Sequence, residues 1–155
     1  MAKKKKSNPV EIKNRKATHE YHFIETYEAG IQLYGTEIKS IRAGNANLND
    51  AYCTFENGEL YVRSLFIAEY LFGNIFNHET RRDRKLLLHK QELKKLRRKV
   101  KEKGFAIVPF KLYINERGFA KLEIALAQGK KAYDKRQSIK ARDTKRELDR
   151  MRKLD

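Results

Sequence analysis

The dipeptide Asn57-Gly58, set between the apolar runs Ala51 to Phe55 and Leu60 to Phe66, is the strongest constraint on what this chain can fold into. Asn-Gly supplies two successive residues that tolerate positive φ, the backbone a two-residue β-hairpin demands. A second pairing is written around Asn115-Glu116-Arg117-Gly118, which separates Phe105 to Ile114 from Phe119 to Leu126. Pro109 cannot donate to a ladder, so it puts the first of those strands at an edge or a bulge. Further upstream, Tyr21, Phe23 and Glu25 alternate with His22, Ile24 and Thr26, the period of a strand. Glu28-Ala29-Gly30 interrupts this alternation before Ile31-Gln32-Leu33-Tyr34 and predicts another hairpin. Thr36 to Ala43 is ambiguous. Ile38 and Ile41 sit at helical spacing behind a possible Thr36 cap, with Gly44 placed to end a short helix. From Lys90 to Lys103 the helix is clear, with Leu93, Leu96 and Val100 on one face, Lys94, Lys95, Arg97, Arg98 and Lys101 on the other, and Gly104 as the stop. About six short antiparallel strands interrupted by about three helices predict a mainly β fold, a small closed barrel of the oligonucleotide-binding kind.

The distribution of charge narrows the partners. The formal net charge is +16 on 155 residues, and it is partitioned. Residues 1–16 carry net +6, residues 17–77 net −5, residues 78–103 net +8, residues 104–128 net +1 and residues 129–155 net +6. Basic blocks at both ends and in the middle repel one another and call for a polyanion, so nucleic acid is the expected partner. The last block has only a thin apolar stripe, Tyr133, Ala141, Leu148, Met151 and Leu154, too narrow to build a core. It predicts a tail that is disordered when free and folds against a counter-charge. The expected organisation is therefore a basic N-terminal arm over 1–13, a barrel over 14–128 and a basic tail over 129–155.

Other chemistries find little support. Cys53 stands alone, which excludes an intramolecular disulfide and suits a reducing cytoplasm; in its strand-like setting it reads as a small buried hydrophobe. No apolar run follows the basic start, and none is long enough to span a membrane. His19 and His22, placed on one strand, would face opposite ways and could not share a metal, so no metal or cofactor is expected. Glu20, Glu25, Glu28 and Glu37 cluster in sequence and could hold a nuclease magnesium, but no defined acid motif is present and polar strand faces explain them better. The eight Tyr and eight Phe could supply stacking platforms, although those in strands are better read as packing. Tyr133, in the basic tail, is the better stacking candidate. In the block from Asn77 to Lys90, Arg81, Arg82, Arg84 and Lys85 read as a turn that cannot bury its cations and so contacts phosphate.

Taken together, several segments resemble the bacterial small protein B family, which binds transfer-messenger RNA. They are Asn14-Arg15-Lys16-Ala17, His19-Glu20-Tyr21, Tyr27 to Ile31, Gly35 to Ser40 with Arg42 and Gly44, Asn77-His78, Arg84 to Lys90, Lys103-Gly104, Ala127 to Lys131, and Asp134-Lys135-Arg136. The resemblance implies an oligonucleotide-binding barrel with helices on it, acting as a non-enzymatic adaptor. The adaptor would carry the RNA, with elongation factor Tu and after alanyl-tRNA synthetase has charged it, to a stalled ribosome, where the incomplete polypeptide is tagged. It implies that Asn14, Glu28 and Leu87 lie on the surface holding the tRNA-like domain, with Arg15, Lys16, Arg84, Lys85 and His89 in the same matching segments and Lys130 and Lys131 near phosphates. Asp134, Lys135 and Arg136, with Lys140 and Arg142 beyond them, would enter the empty mRNA channel as a helix, and Tyr133 would stack at the decoding centre. A monomer is expected. Thr80 and Asp83 stand where the family often has proline. Two alternatives remain open: a general RNA chaperone of the ribosome, and an RNA-processing enzyme using the carboxylates.

Overall fold

A computed structural model describes residues 10–102 and 104–130, with Arg142, Lys145, Arg146, Leu148 and Arg150 as separate helical positions. The arm 1–9 and Lys131, Tyr133, Asp134, Lys135, Arg136 and Lys140 lie outside the described residues. In chain order the elements are β1 (Glu11–Lys13), α1 (Arg15–Glu20), β2 (Tyr21–Ile31), α2 (Gly35–Arg42), β3 (Ala46–Asn47), β4 (Tyr52–Glu56), β5 (Glu59–Arg63), β6 (Phe66–Ile67), β7 (Arg84–Leu87), α3 (Lys90–Val100), β8 (Phe105–Ile114) and β9 (Ala120–Gly129). Strands β8, β4, β5, β7, β2 and β9 are hydrogen-bonded in that order, and β9 returns to β8. This closes the expected antiparallel barrel. Closure leaves no sheet edge inside the ring and puts one face of every strand into a shared interior. Ala29, Leu60, Val62, Leu86, Leu112, Leu122, Ile124 and Leu126 fill it, and Leu96 of α3 is buried in the same core.

Local turn chemistry formed as read. Asn57 and Gly58 have φ of 52° and 78°, and β4 and β5 pair Glu56 with Glu59 across them. Gly118, at φ 86°, donates its N–H to Asn115 O at 3.0 Å and closes the β8–β9 hairpin, whose register shifts between Pro109 and Lys111. Pro109 sits at a bulge. Helix α3 buries Leu96 and half-buries Leu93 and Val100, while Lys94, Lys95, Arg97, Arg98 and Lys101 stay exposed.

Four expectations are corrected by pairing distant in sequence. First, Glu28-Ala29-Gly30 makes no turn: β2 runs unbroken from Tyr21 to Ile31, because β9 pairs with it as far as Gly30 and Leu87 lies opposite that glycine. A Cβ on Gly30 would lie 3.2 Å from the Leu87 Cβ, so here glycine permits close strand approach. Second, His19 is in helix α1 and His22 in a strand, so the two never share one strand. Third, α2 begins at Gly35, and the carboxylate of Glu37, not the Thr36 hydroxyl, serves its N-terminus by accepting the Tyr34 N–H at 2.9 Å. The Thr36 hydroxyl meets His78 Nδ1 at 2.8 Å instead; His78 Nε2 donates to Ile67 O at 2.9 Å, which leaves Nδ1 as the acceptor. Fourth, the basic block after Asn77 ends in strand β7, with Arg84 wholly buried. At the N-terminal side, β1 pairs with β8, so Glu11, Ile12 and Lys13 are part of the sheet.

Candidate nucleic-acid interface

The buried Arg84 explains why part of the basic block cannot touch phosphate. Its Nε donates to Glu37 Oε2, its Nη1 donates to Leu65 O at 2.7 Å and its Nη2 to Thr80 O at 3.3 Å. Arg82 donates to the other Glu37 oxygen at 2.7 Å and stacks on the Tyr34 ring, 4.1 Å from its centroid. A guanidinium committed on every side stabilises the fold. Direct RNA contact through Arg84 is corrected to a positioning role: it holds β7 and thereby the exposed residues beside it.

Asn14 is likewise inside, 3% exposed. Its Oδ1 accepts the Ala17 N–H at 3.1 Å as the cap of α1, and its Nδ2 donates to Leu48 O at 3.0 Å and Pro109 O at 3.1 Å. Both amide hydrogens are spent on carbonyls of other elements. The expected RNA contact is therefore corrected to a tie between α1, the bulge in β8 and the chain entering β4. Asn14→Ala should cost about 1–3 kcal/mol, the sum of a lost cap and two stranded carbonyls. Urea unfolding measures this, and a loss below the scatter of surface substitutions would contradict it.

The exposed candidates fall at two ends of the barrel. At one end Glu28, Gly30, Leu87, Leu88, His89, Glu92 and Lys121 line an open groove of about 420 Å³. Gly30 forms its floor, and Leu87, 48% exposed, stands beside it because β7 alternates Leu86 into the core and Leu87 outward. Glu28 accepts a hydrogen bond from the Tyr113 hydroxyl; burial, and then this carboxylate, push the Tyr113 phenol up to about 12. Lys85, half-buried, is 3.6 Å from Glu59 and partly neutralised. Nothing in the sequence pattern singles out Lys121 or Glu92, and Tyr113 reads there as one of the strand tyrosines that pack. The β8–β9 hairpin, once its register is known, sets Tyr113 directly opposite Lys121, and the pairing of β2 with β9 sets Glu123 opposite Glu28.

At the other end α1 exposes Arg15 and Lys16, and Tyr21 pairs with Gly129, so Lys130 emerges beside them. A second cavity of about 320 Å³ lies here, lined in part by Lys16, Glu20, Tyr21, Asp50 and Tyr52. Glu28 and Tyr21 are seven positions apart on one strand, so the two ends are separated by roughly 23 Å. Several cations elsewhere on the barrel are paired: Lys13 and Lys111 with Glu11, Arg63 with Glu56, Arg81 with Asp50. On α3 only Lys95 has a carboxylate among the described residues, Glu25 at 3.3 Å. The helix leads away from the groove at Glu92 as a ridge of uncompensated positive charge.

The four carboxylates adjacent in sequence are scattered in space. Glu20 ends α1, Glu25 accepts the Tyr27 hydroxyl at 2.5 Å, Glu28 meets Tyr113 and Glu37 is buried with Arg84. Among the described residues no three His, Cys, Asp or Glu are grouped as metal ligands. Burial pushes the Cys53 thiol far up, leaving it a small core residue. Phe23 and Phe110 pair across strands at 5.1 Å, a packing role.

Comparison with known proteins decides what this barrel is. The profile of the SmpB protein family matches residues 11–154. The chain belongs to the SmpB family. An SsrA-binding protein of Phocaeicola vulgatus is 58% identical over 146 residues, covering 94% of this chain and 97% of the relative. One from Desulforamulus reducens is 61% identical over 137 residues, covering 88% and 85%. A solved SmpB structure, described as "tmRNA-SmpB: a journey to the center of the bacterial ribosome", superposes with a TM-score of 0.67 at 52% identity, covering 77% of this chain and 84% of that one. The resemblance read from Asn14 to Arg136 is thus a family membership, and the SmpB barrel supplies the frame for the groove.

Proposed function

We propose that this SmpB-family protein binds the tRNA-like domain of transfer-messenger RNA in the groove of Glu28, Leu87, His89 and Lys121, and delivers the RNA to stalled ribosomes for trans-translation. The observation that carries the reading is the groove itself: β2, β7, α3 and β9, far apart in sequence, each contribute a residue to it. The mixture suits folded RNA. Glu28 repels phosphate but accepts from base or ribose groups, Leu87 offers an apolar surface to a splayed base or sugar, and His89 and Lys121 donate. The uncompensated cations of α3 then track the backbone. The other end, with Arg15, Lys16 and Lys130, launches residues 131–155 towards the decoding centre and mRNA channel, with Tyr133 stacking and Asp134, Lys135, Arg136, Lys140 and Arg142 in the channel. The protein acts as a monomer in the cytoplasm without chemistry of its own, together with elongation factor Tu, on RNA that alanyl-tRNA synthetase has charged.

Glu28→Ala should weaken binding to the tRNA-like domain by about 1–3 kcal/mol, the loss of a charge-assisted hydrogen bond, while binding to an unrelated RNA duplex barely changes. Equal losses on both RNAs would favour a general chaperone. Neutralising Lys94, Arg97, Arg98 and Lys101 to Gln tests the ridge through the salt dependence. The slope of log K against log salt should become shallower by roughly 0.7–0.9 for each phosphate contact removed. An unchanged slope in filter binding would place the ridge off the RNA.

A further inference from the structure

Between β6 and β7 the chain spells Tyr70-Leu71-Phe72-Gly73-Asn74-Ile75-Phe76-Asn77, an apolar stretch that would be expected to bury itself. It does the opposite. Leu71 is 82% exposed, Phe72 75%, Ile75 88% and Phe76 82%, although Leu65 and Ile67 just before them are fully buried. Two phenylalanines exposed to that degree alone present on the order of 230–400 Å² of surface. Contiguous exposed apolar area of that size marks an interaction site on a soluble protein.

The loop is also built to hold this display. Asn77 Oδ1 accepts the Tyr70 N–H at 2.8 Å and its Nδ2 donates to Tyr70 O at 2.8 Å, closing a ring around a single 3₁₀ turn, Asn74–Phe76. Gly73 passes so close that a Cβ there would lie 2.8–2.9 Å from the Asn77 amide, which is bonded on both sides and has no free direction in which to yield. The Tyr70 ring is met edge-on by Phe72 at 5.6 Å and lies 5.3 Å from the Lys39 ammonium. At the loop's exit His78 is anchored to Thr36 and Ile67, and Arg84 binds carbonyls on both sides of the loop, at Leu65 and Thr80. A backbone clamped in this way loses little conformational entropy on docking, the property of a preorganised contact.

We propose that this crown of Leu71, Phe72, Ile75 and Phe76 docks into an apolar pocket with a cationic rim on a ribosomal protein. The proposal rests on the ribosomal reading above and names a contact additional to the RNA groove. Charge selects the occupant. In a chain of net +16, the only ionised side chains from residue 68 to 79 are Glu69 and Glu79, both exposed. Phosphates would meet these carboxylates first, and Leu71 and Ile75 have no π face on which a base could stack. A second copy of the chain would bring another +16 to the contact. A basic protein surface suits both features, and proteins that live on ribosomal RNA are basic for the same electrostatic reason as this one.

The test uses the full chain, transfer-messenger RNA and purified stalled ribosomes, with a photo-crosslinking phenylalanine analogue at position 76. The expected crosslink is to a ribosomal protein. The Phe72→Ser/Phe76→Ser variant should bind the ribosome at least about tenfold more weakly and bind the tRNA-like domain as the unsubstituted protein does. Asn77→Ala, which keeps every apolar side chain but opens the clamp, should weaken ribosome binding in the same direction. A crosslink to RNA or to a second copy overturns the proposal, as does unchanged ribosome affinity in the double variant. So does a parallel loss of affinity for the tRNA-like domain with an unchanged circular dichroism spectrum, since the loop would then belong to the RNA site. If the unsubstituted protein shows no affinity for stalled ribosomes, the functional reading itself fails and this contact with it.

Discussion

Removal of residues 131–155 is expected to leave binding to transfer-messenger RNA nearly unchanged while abolishing peptide tagging on stalled ribosomes. The groove residues Glu28, Leu87, His89 and Lys121 all lie in the closed barrel, and β9 completes its pairing with β2 at Gly129. The β2–β9 ladder therefore ends before the deletion begins. What is lost is a segment with good helix formers, a thin apolar stripe and most of the net +6 of residues 129–155, suited to a polyanionic channel and to nothing in the barrel core. Arg142, Lys145, Arg146, Leu148 and Arg150 are helical and exposed. Tyr133→Ala should reduce tagging more than RNA binding. A reconstituted translation assay decides: normal tagging by the truncated protein, or equal loss of tagging and RNA affinity, would move the ribosomal function into the barrel.

Glu37→Ala should destabilise the fold by about 3–5 kcal/mol, the cost of leaving a buried guanidinium without its counter-ion. Against a total stability on the order of 5–15 kcal/mol this is the largest effect expected of any single charged residue here. Glu37 and Arg84 are both fully buried, and Glu37 also accepts the Tyr34 N–H and an Arg82 bond. Arg84→Lys should not rescue Arg84→Ala, because one ammonium cannot reach Glu37, Leu65 O and Thr80 O from a single point. The pair also sets an acid dependence. Burial raises the Glu37 carboxyl, but the Tyr34 N–H and the guanidiniums of Arg82 and Arg84 outweigh it and hold the group below the usual glutamate range. A carboxyl lowered in the folded state contributes stability at any pH above its unfolded value and loses it as pH falls through the folded value. Urea unfolding should therefore weaken towards acid in the unsubstituted protein and show a shallower acid dependence in Glu37→Gln. Identical pH profiles for the two would remove Glu37 from the linkage.

These two predictions sit on different sides of what was readable beforehand. The tail needed no structure, because its charge and its lack of an apolar face are properties of the residues themselves. The Glu37–Arg84 pair was invisible. Arg84 stands among Arg81, Arg82 and Lys85 and looks like one more solvated cation, while Glu37 lies 47 positions away in another element. Only the antiparallel register of β2 with β7 brings them together. Asn14 shows the same limit: its family match marks it as a functional position, whereas the structure gives all its amide hydrogens to Leu48 and Pro109.

The sequence by itself determined the features governed by neighbours along the chain. These are the hairpins at Asn57-Gly58 and at Asn115 to Gly118, the helix from Lys90 with its leucine face and Gly104 stop, the bulge at Pro109 and the basic ends. Positive φ, helical period and missing N–H groups act within a few residues, so the information is local. Tertiary structure alone decided that Gly30 is strand floor and not turn, that Arg84 points inward, that Lys121 and Glu92 join Glu28 and Leu87 in one groove, and that Arg15 and Lys130 lie at the opposite end. Each of those depends on which strand lies beside which. Closing a barrel satisfies that choice for all strands at once, and no single segment encodes it.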